Sequence, residues 1–255
     1  MARSRISVRL ACAIEFQATV PQADQTTVVG HRRLYPSITD PNYLVLRARR
    51  GIFTDWIGRL SERRLRVLDV GGRYQPYRPL LNGRVAQYVS VDLLRTESVD
   101  VIASGEALPF QAETFDLVIA TQVFDCFRDP YAAALQIHRV LKPGGALLMS
   151  VAAVAPRFAD VEHWRFMPTG IRSVLAAFSS VEISPEVYSL GGLCRTLNVA
   201  LHSLAKFGVM RKTFSITICP ALNLLGLGLE WLKLTDNDQF APNYSVLARK
   251  DLKAS

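Results

Sequence analysis

From Leu65 onward, short apolar runs alternate with polar stretches of helical length. Arg66 to Val70 is an apolar run that ends in Gly71-Gly72, and Val85 to Val91 is a second, closed by Asp92. Val99 to Ala103, Phe115 to Ala120 and Ala146 to Val151 supply three more. Ser180 to Ile183 reads as a sixth strand and Tyr244 to Ala248 as a closing seventh. Between the fourth and fifth runs, Tyr131 to Leu141 has helical periodicity and stops at Lys142-Pro143-Gly144-Gly145. Thr169 to Ala177 predicts another helix. Strands that alternate with helices, and are apolar on both faces, predict a mostly parallel sheet covered on both sides. Right-handed crossovers make it doubly wound, an α/β Rossmann-like sheet of seven strands.

The segments outside this alternation read differently. Residues 1–41 lack a clear period and form an irregular basic arm, ahead of a main domain over 42–255. From Asn42 to Arg63, Leu44, Leu46, Ile52, Phe53, Trp56, Ile57 and Leu60 recur at helical spacing. Leu197 to Phe207 and Ala221 to Leu234 predict two apolar helices within an insertion at about 191–234, before the last strand. Thr213 to Leu229 carries no charge, but it is shorter than a membrane span and Pro220 interrupts it. It reads as a helical cap, or as a helix lying in a membrane interface beside Lys206, Arg211 and Lys212.

The junction after the first strand carries chemistry. Glycines after a strand let backbone approach a ligand, and the next helix start favours an anionic group. Asp92, about twenty residues on, sits where an acid accepts both ribose hydroxyls. Together they point to a nucleoside-containing cofactor. The G-x-G-x-x-G pattern of dinucleotide enzymes is absent.

VLDVGG (Val67 to Gly72) resembles motif I of class I S-adenosylmethionine-dependent methyltransferases, and SVDL (Ser90 to Leu93) resembles motif II. SGEALPFQAETFDLVIATQVFDCFRDP (Ser104 to Pro130) is similar to the adenine loop, fourth strand and following segment of that family. RVLKPGGALLMSV (Arg139 to Val151) resembles its turn into strand five. The resemblance spans Leu65 to Ser184 in order and implies S-adenosyl-L-methionine as cofactor. By that resemblance Asp69, Gly71 and Gly72 shape the loop under the methionine moiety. Asp92, with Leu93 beside it, holds the ribose diol. Ser104, Gly105 and Glu106 follow the adenine edge, and Thr121 and Gln122 line the site near the acceptor.

Two departures stand out. Arg73 replaces the next glycine of the loop, and Ser104 stands where the family often has an acid. The form Gly71-Gly72-Arg73 followed by Gln75-Pro76-Tyr77 resembles a bacterial branch associated with surface glycans. After strand five, Asp160 to Phe166 is similar to a family stretch reading D-Y-W-R-F-T, with His163 in place of tyrosine. His163 is the candidate general base, because imidazole titrates near neutrality. Asp125 and Cys126 replace a Glu-His pair common after strand four, which implies a changed acceptor pocket.

Charge and composition add little that is decisive. The net charge is +8, and the first 66 residues carry 12 Arg and no Lys against 5 acids, leaving +7 there. Arg47, Arg49 and Arg50 read as one solvated helix face. The basic arm suits anionic lipid, an acidic glycan or nucleic acid. The four cysteines form no C-x-x-C pair and read as reduced thiols of a cytoplasmic protein. The four histidines form no metal-ligand pattern, so no metal is expected. The leading reading is methyl transfer, on oxygen, to a small molecule, sugar or lipid-linked acceptor. An RNA or protein methyltransferase and a non-catalytic binding module are the alternatives. No nucleic-acid-binding module is evident: DNA is not an expected partner, and RNA is disfavoured.

Overall fold

The computed structural model describes residues 22–60, 64–157, 161–205, 207–233 and 236–252. Seven strands form one sheet: β1 (Leu65–Val70), β2 (Val85–Asp92), β3 (Val101–Ile102), β4 (Phe115–Thr121), β5 (Leu141–Ala152), β6 (Ser180–Pro185) and β7 (Asn243–Arg249). Their order is β3-β2-β1-β4-β5-β7-β6, parallel except for β7, which runs antiparallel to both neighbours. The order reverses at β1, so the C-terminal ends of β1, β2 and β4 open onto the crevice where ligands bind in such sheets.

The central strands alternate between two cores, as the pleat requires. Leu68 and Val70 of β1, Val118 and Ala120 of β4, and Leu147 and Met149 of β5 face one side. There they meet α3 (Pro130–Val140) and α4 (Pro168–Val174). Val67, Leu117, Ile119 and Leu148 face the other side, against α1 (Gln22–Leu34) and α2 (Tyr43–Gly58). The insertion between β6 and β7 holds α5 (Ser189–Leu204), α6 (Gly208–Ile216) and α7 (Ile218–Trp231).

Four expectations need correction. Residues 22–34, read as part of an irregular arm, are helical, while residues 1–21 lie outside the described residues. Gly30 of α1 explains the docking: an added Cβ would meet the Tyr74 carbonyl at 2.4 Å, so α1 lies directly on the loop after β1. Arg49 is not on a solvated face. It is only 4% exposed and forms a bidentate pair with Glu186 at 2.7 and 2.8 Å. The Lys142 to Gly145 segment is not a turn ahead of the strand but an irregularity inside β5, where Leu141 pairs with Phe115 and Ala146 with Leu117. Gly144 there has a φ of 76°, which glycine adopts without strain. The insertion contains three helices rather than two.

Candidate active site

At the end of β1, Gly71 turns with a φ of 77°, and the N–H groups of Gly71 and Gly72 donate to the Val91 carbonyl at 2.8 and 3.2 Å. A Cβ on Gly71 would strike the Val123 side chain at 2.9 Å, and one on Gly72 the Asp69 carboxyl carbon at 2.6 Å. Both glycines are therefore required by close packing. Asp69 is buried and accepts a hydrogen bond of 2.7 Å from the Tyr88 hydroxyl. Burial, opposed by that hydrogen bond and reinforced by the nearby charge of Asp92, pushes its carboxyl up to about 7.

Asp92 terminates β2, and its Oδ1 accepts from the Leu94 N–H at 2.8 Å, an Asx-type turn that fixes the carboxylate. The departure at Arg73 lands here. Its Nε and Nη2 each lie 3.4 Å from an Asp92 oxygen. The Arg73 guanidinium also lies near the Tyr74 ring (5.6 Å to its centre), as does that of Arg33 from α1 (4.9 Å). Thus the acid expected to hold a ribose diol faces a cation from the glycine loop itself. Leu93, beside it, is exposed.

Along the expected adenine edge, the Ser104 hydroxyl donates to Glu106 at 3.0 Å, and Glu106 accepts from the Asp129 N–H at 2.7 Å. Asp129 in turn caps α3 through the N–H groups of Tyr131 and Ala132. Glu106 therefore ties the loop to that helix start. A Cβ on Gly105 would meet the Phe127 ring at 2.5 Å. At the end of β4, Thr121 is half-buried and Gln122 adopts a φ of 53°. The Gln122 N–H donates to the Ser150 carbonyl at 2.8 Å, and its Nε2 lies 2.9 Å from the Ser150 hydroxyl. That hydroxyl and the one of Ser245 both reach Glu186, which holds Arg49. Gln122 thus rests on a buried polar network that joins α2, β5 and β7.

The structure brings the loops after β4 and β5 together. The N–H groups of His163 and Trp164 donate to the Asp125 carbonyl at 2.7 and 3.3 Å, and Trp164 Nε1 donates to the Phe127 carbonyl at 2.9 Å. Ala155, Arg157, Glu162, His163, Trp164 and Arg165 line a cavity of about 320 Å³. His163 is exposed on it. Asp125 is buried, and its Oδ1 has no hydrogen-bond partner. Burial first, opposed by a hydrogen bond from its own backbone N–H, then the charge of Glu162, against Arg165 and Arg49, pushes its carboxyl up to about 6. The sequence shows Asp125 only as a departure from a pattern; its isolation follows from Phe124 and Phe127 packing into the core around it. A larger cavity, about 660 Å³, lies between α1 and the segment from Tyr74 to Val85, behind the glycine loop.

Residues 68–149 match the methyltransferase-domain family. That segment lies in a sheet with the strand order of a Rossmann-like methyltransferase fold, and S-adenosylmethionine is the cofactor the matched family implies. The donor set fits it: a carboxylate at the end of β2 for a diol, and a glycine turn with a positive φ at the end of β1. A 66-residue segment is 38% identical to the mitochondrial arginine-hydroxylase NDUFAF5 of Mus musculus, covering 25% of this chain and 19% of that protein. A 107-residue segment is 31% identical to the malonyl-acyl-carrier-protein O-methyltransferase of Hahella chejuensis, covering 41% of this chain and 38% of that one. The chain therefore spans well under half the length of these curated relatives. One is named a hydroxylase and the other a methyltransferase, so the shared segment does not by itself fix the reaction. Among solved structures, a sarcosine dimethylglycine methyltransferase assignment from Galdieria sulphuraria superimposes with a TM-score of 0.51 at 12% identity, covering 81% of this chain and 88% of that one. That likeness is one of fold.

Proposed function

We propose that the protein transfers a methyl group from S-adenosylmethionine to a hydroxyl of a small-molecule, sugar or lipid-linked acceptor. When bound, the cofactor supplies a methyl carbon already activated by a sulfonium. What remains for the protein is alignment, exclusion of water and removal of the acceptor proton. Asp92 and the Gly71 turn hold the nucleoside and methionine ends, and Gln122 borders the acceptor side. Two side chains are candidates to take the proton. His163 lines the cavity but is exposed. Asp125 is favoured, because a buried carboxyl with an unpartnered oxygen is poised to accept a hydroxyl proton near neutral pH.

What supports the reading is that the Gly71 turn follows β1, Asp92 ends β2 and the buried Asp125 follows β4, all on the same edge of the parallel sheet. The loop form Gly71-Gly72-Arg73 with Gln75-Pro76-Tyr77 puts glycans first among acceptors to screen. Calorimetric titration with S-adenosylmethionine, beside Asp92→Ala, tests it. One-site binding that the variant loses supports the assignment. Folded wild-type protein that binds no cofactor at about millimolar concentration, with or without candidate acceptors, overturns it.

A further inference from the structure

Two helices of the insertion, α5 and α7, present apolar side chains outward and polar ones inward. On α7, Cys219, Asn223 and Gly226 are buried, while Ile218, Ala221, Leu224, Leu225 and Trp231 are exposed. These two sets fall on opposite faces at 3.6 residues per turn. Beside the apolar contacts of Leu227 and Leu229 with the Leu44 cluster, the inward side holds polar bonds: Asn223 donates to the carbonyls of Ile38 and Asp40 at 2.7 and 3.0 Å and accepts from Asn198 at 3.0 Å. Glu230 accepts from the Tyr188 N–H at 3.1 Å. The neighbouring α5 repeats the inversion. Arg195 and Asn198 are buried, with Arg195 bonded to Asn42, while Leu193, Leu197 and Leu204 are exposed.

A helix in water puts apolar residues inward and polar ones outward. Here α5 and α7 spend their polar side chains on the protein and offer leucine, isoleucine and tryptophan to the outside. Among the described residues, 13 of the 23 exposed large hydrophobic side chains lie between Tyr188 and Leu232, so the apolar surface is concentrated on this insertion. Trp231 is 81% exposed and Val209 78%. A surface of this kind has a partner.

We propose that this face seats in the interfacial region of an anionic lipid bilayer. The outward face of α7 carries no charge, while exposed Arg211 and Lys212 lie in α6 before it and exposed Lys233 just past its end. Phe207, which caps the start of α6, and Trp231, which ends α7, are also exposed. Basic and aromatic residues around an uncharged apolar face match the headgroup and acyl layers of such a membrane. The helices lie on the surface rather than cross it. The stretch Gly208–Trp231 is long and apolar enough for a span by length and composition. However, it divides at Thr217, and the Asn223 side of α7 is bound to protein. The inference stands whether or not methyl transfer is the activity.

Full-length protein is floated with vesicles of phosphatidylcholine alone and of phosphatidylcholine with phosphatidylglycerol, and its oligomeric state is measured by light scattering. Binding to the anionic vesicles is expected, and Leu224→Glu/Leu225→Glu abolishes it. Arg211→Gln/Lys212→Gln lowers the anionic preference about 30-fold, at about fivefold per basic residue. Circular dichroism and cofactor binding show that the variants are folded. A wild-type protein that stays off both vesicles overturns the proposal. So does a stable dimer that Leu224→Glu/Leu225→Glu dissociates, which would assign the face to a second copy.

Discussion

Replacing Arg73 by alanine tightens cofactor binding. Both contacts from its guanidinium to Asp92 are 3.4 Å, outside the usual 2.7–3.2 Å range for N–H···O bonds. The side chains are 15% and 9% exposed, so the pair is neither fully solvated nor sealed. Two unit charges at this distance attract by about 5 kcal/mol at an effective dielectric of about 20. Loose geometry and the entropy of a long side chain cut the net value to about 1 kcal/mol, the upper range for accessible pairs. A ribose diol must displace that contact to reach both Asp92 oxygens. Arg73→Ala should therefore lower the dissociation constant for S-adenosylmethionine about fivefold. Salt supplies an independent sign. Screening weakens the pair, so moving from about 0.05 M to about 0.5 M salt should tighten wild-type binding and leave the variant nearly unchanged. Isothermal titration calorimetry reads both. A variant that binds no more tightly than wild type would refute the reasoning, and one that binds more weakly would make Arg73 a direct ligand of the cofactor.

Asp125→Asn should lower kcat by about 100- to 10,000-fold with the cofactor dissociation constant unchanged, and should remove the rise in rate through a pH of about 6, whereas His163→Ala costs less than about tenfold. A pH–rate profile with S-adenosylmethionine and an acceptor found by screening checks this; an acidic limb that persists in Asp125→Asn sinks it. Asp69 titrates at about 7 when folded and near its ordinary 3.8 when unfolded, so the folded state binds the proton more tightly. Its contribution is fully present below about pH 4 and is lost as pH rises through 7, by up to about 4 kcal/mol. Asp69→Asn should flatten that slope in denaturant titrations at pH 5 and 8. Arg49→Met should cost about 3–5 kcal/mol by leaving Glu186 buried beside no cation, and Arg49→Met/Glu186→Leu should recover most of it in thermal melts.

The strands and the glycine turn were legible because each is a local pattern. An apolar run of five to seven residues bounded by turn formers is too short for most helices and reads as a buried strand, and Asp69, Gly71 and Asp92 sit at fixed offsets from those runs. Helix α1 was not legible, since its polar composition gives no apolar stripe and its place is set by the close approach of Gly30 to Tyr74. Arg49 looked like its neighbours Arg47 and Arg50. Only tertiary structure supplied Glu186, 137 residues away, to repay its burial.

What the sequence by itself determined is therefore the sheet, the glycine turn after β1 and the acid that ends β2. Tertiary structure alone decided three things. It set Arg73 against Asp92, it isolated the Asp125 carboxyl beneath the loop that carries His163, and it turned the polar sides of α5 and α7 inward. The reason is common to all three. Periodicity says which residues share a face, but which face meets protein and which charges meet each other depends on contacts between segments far apart in the chain.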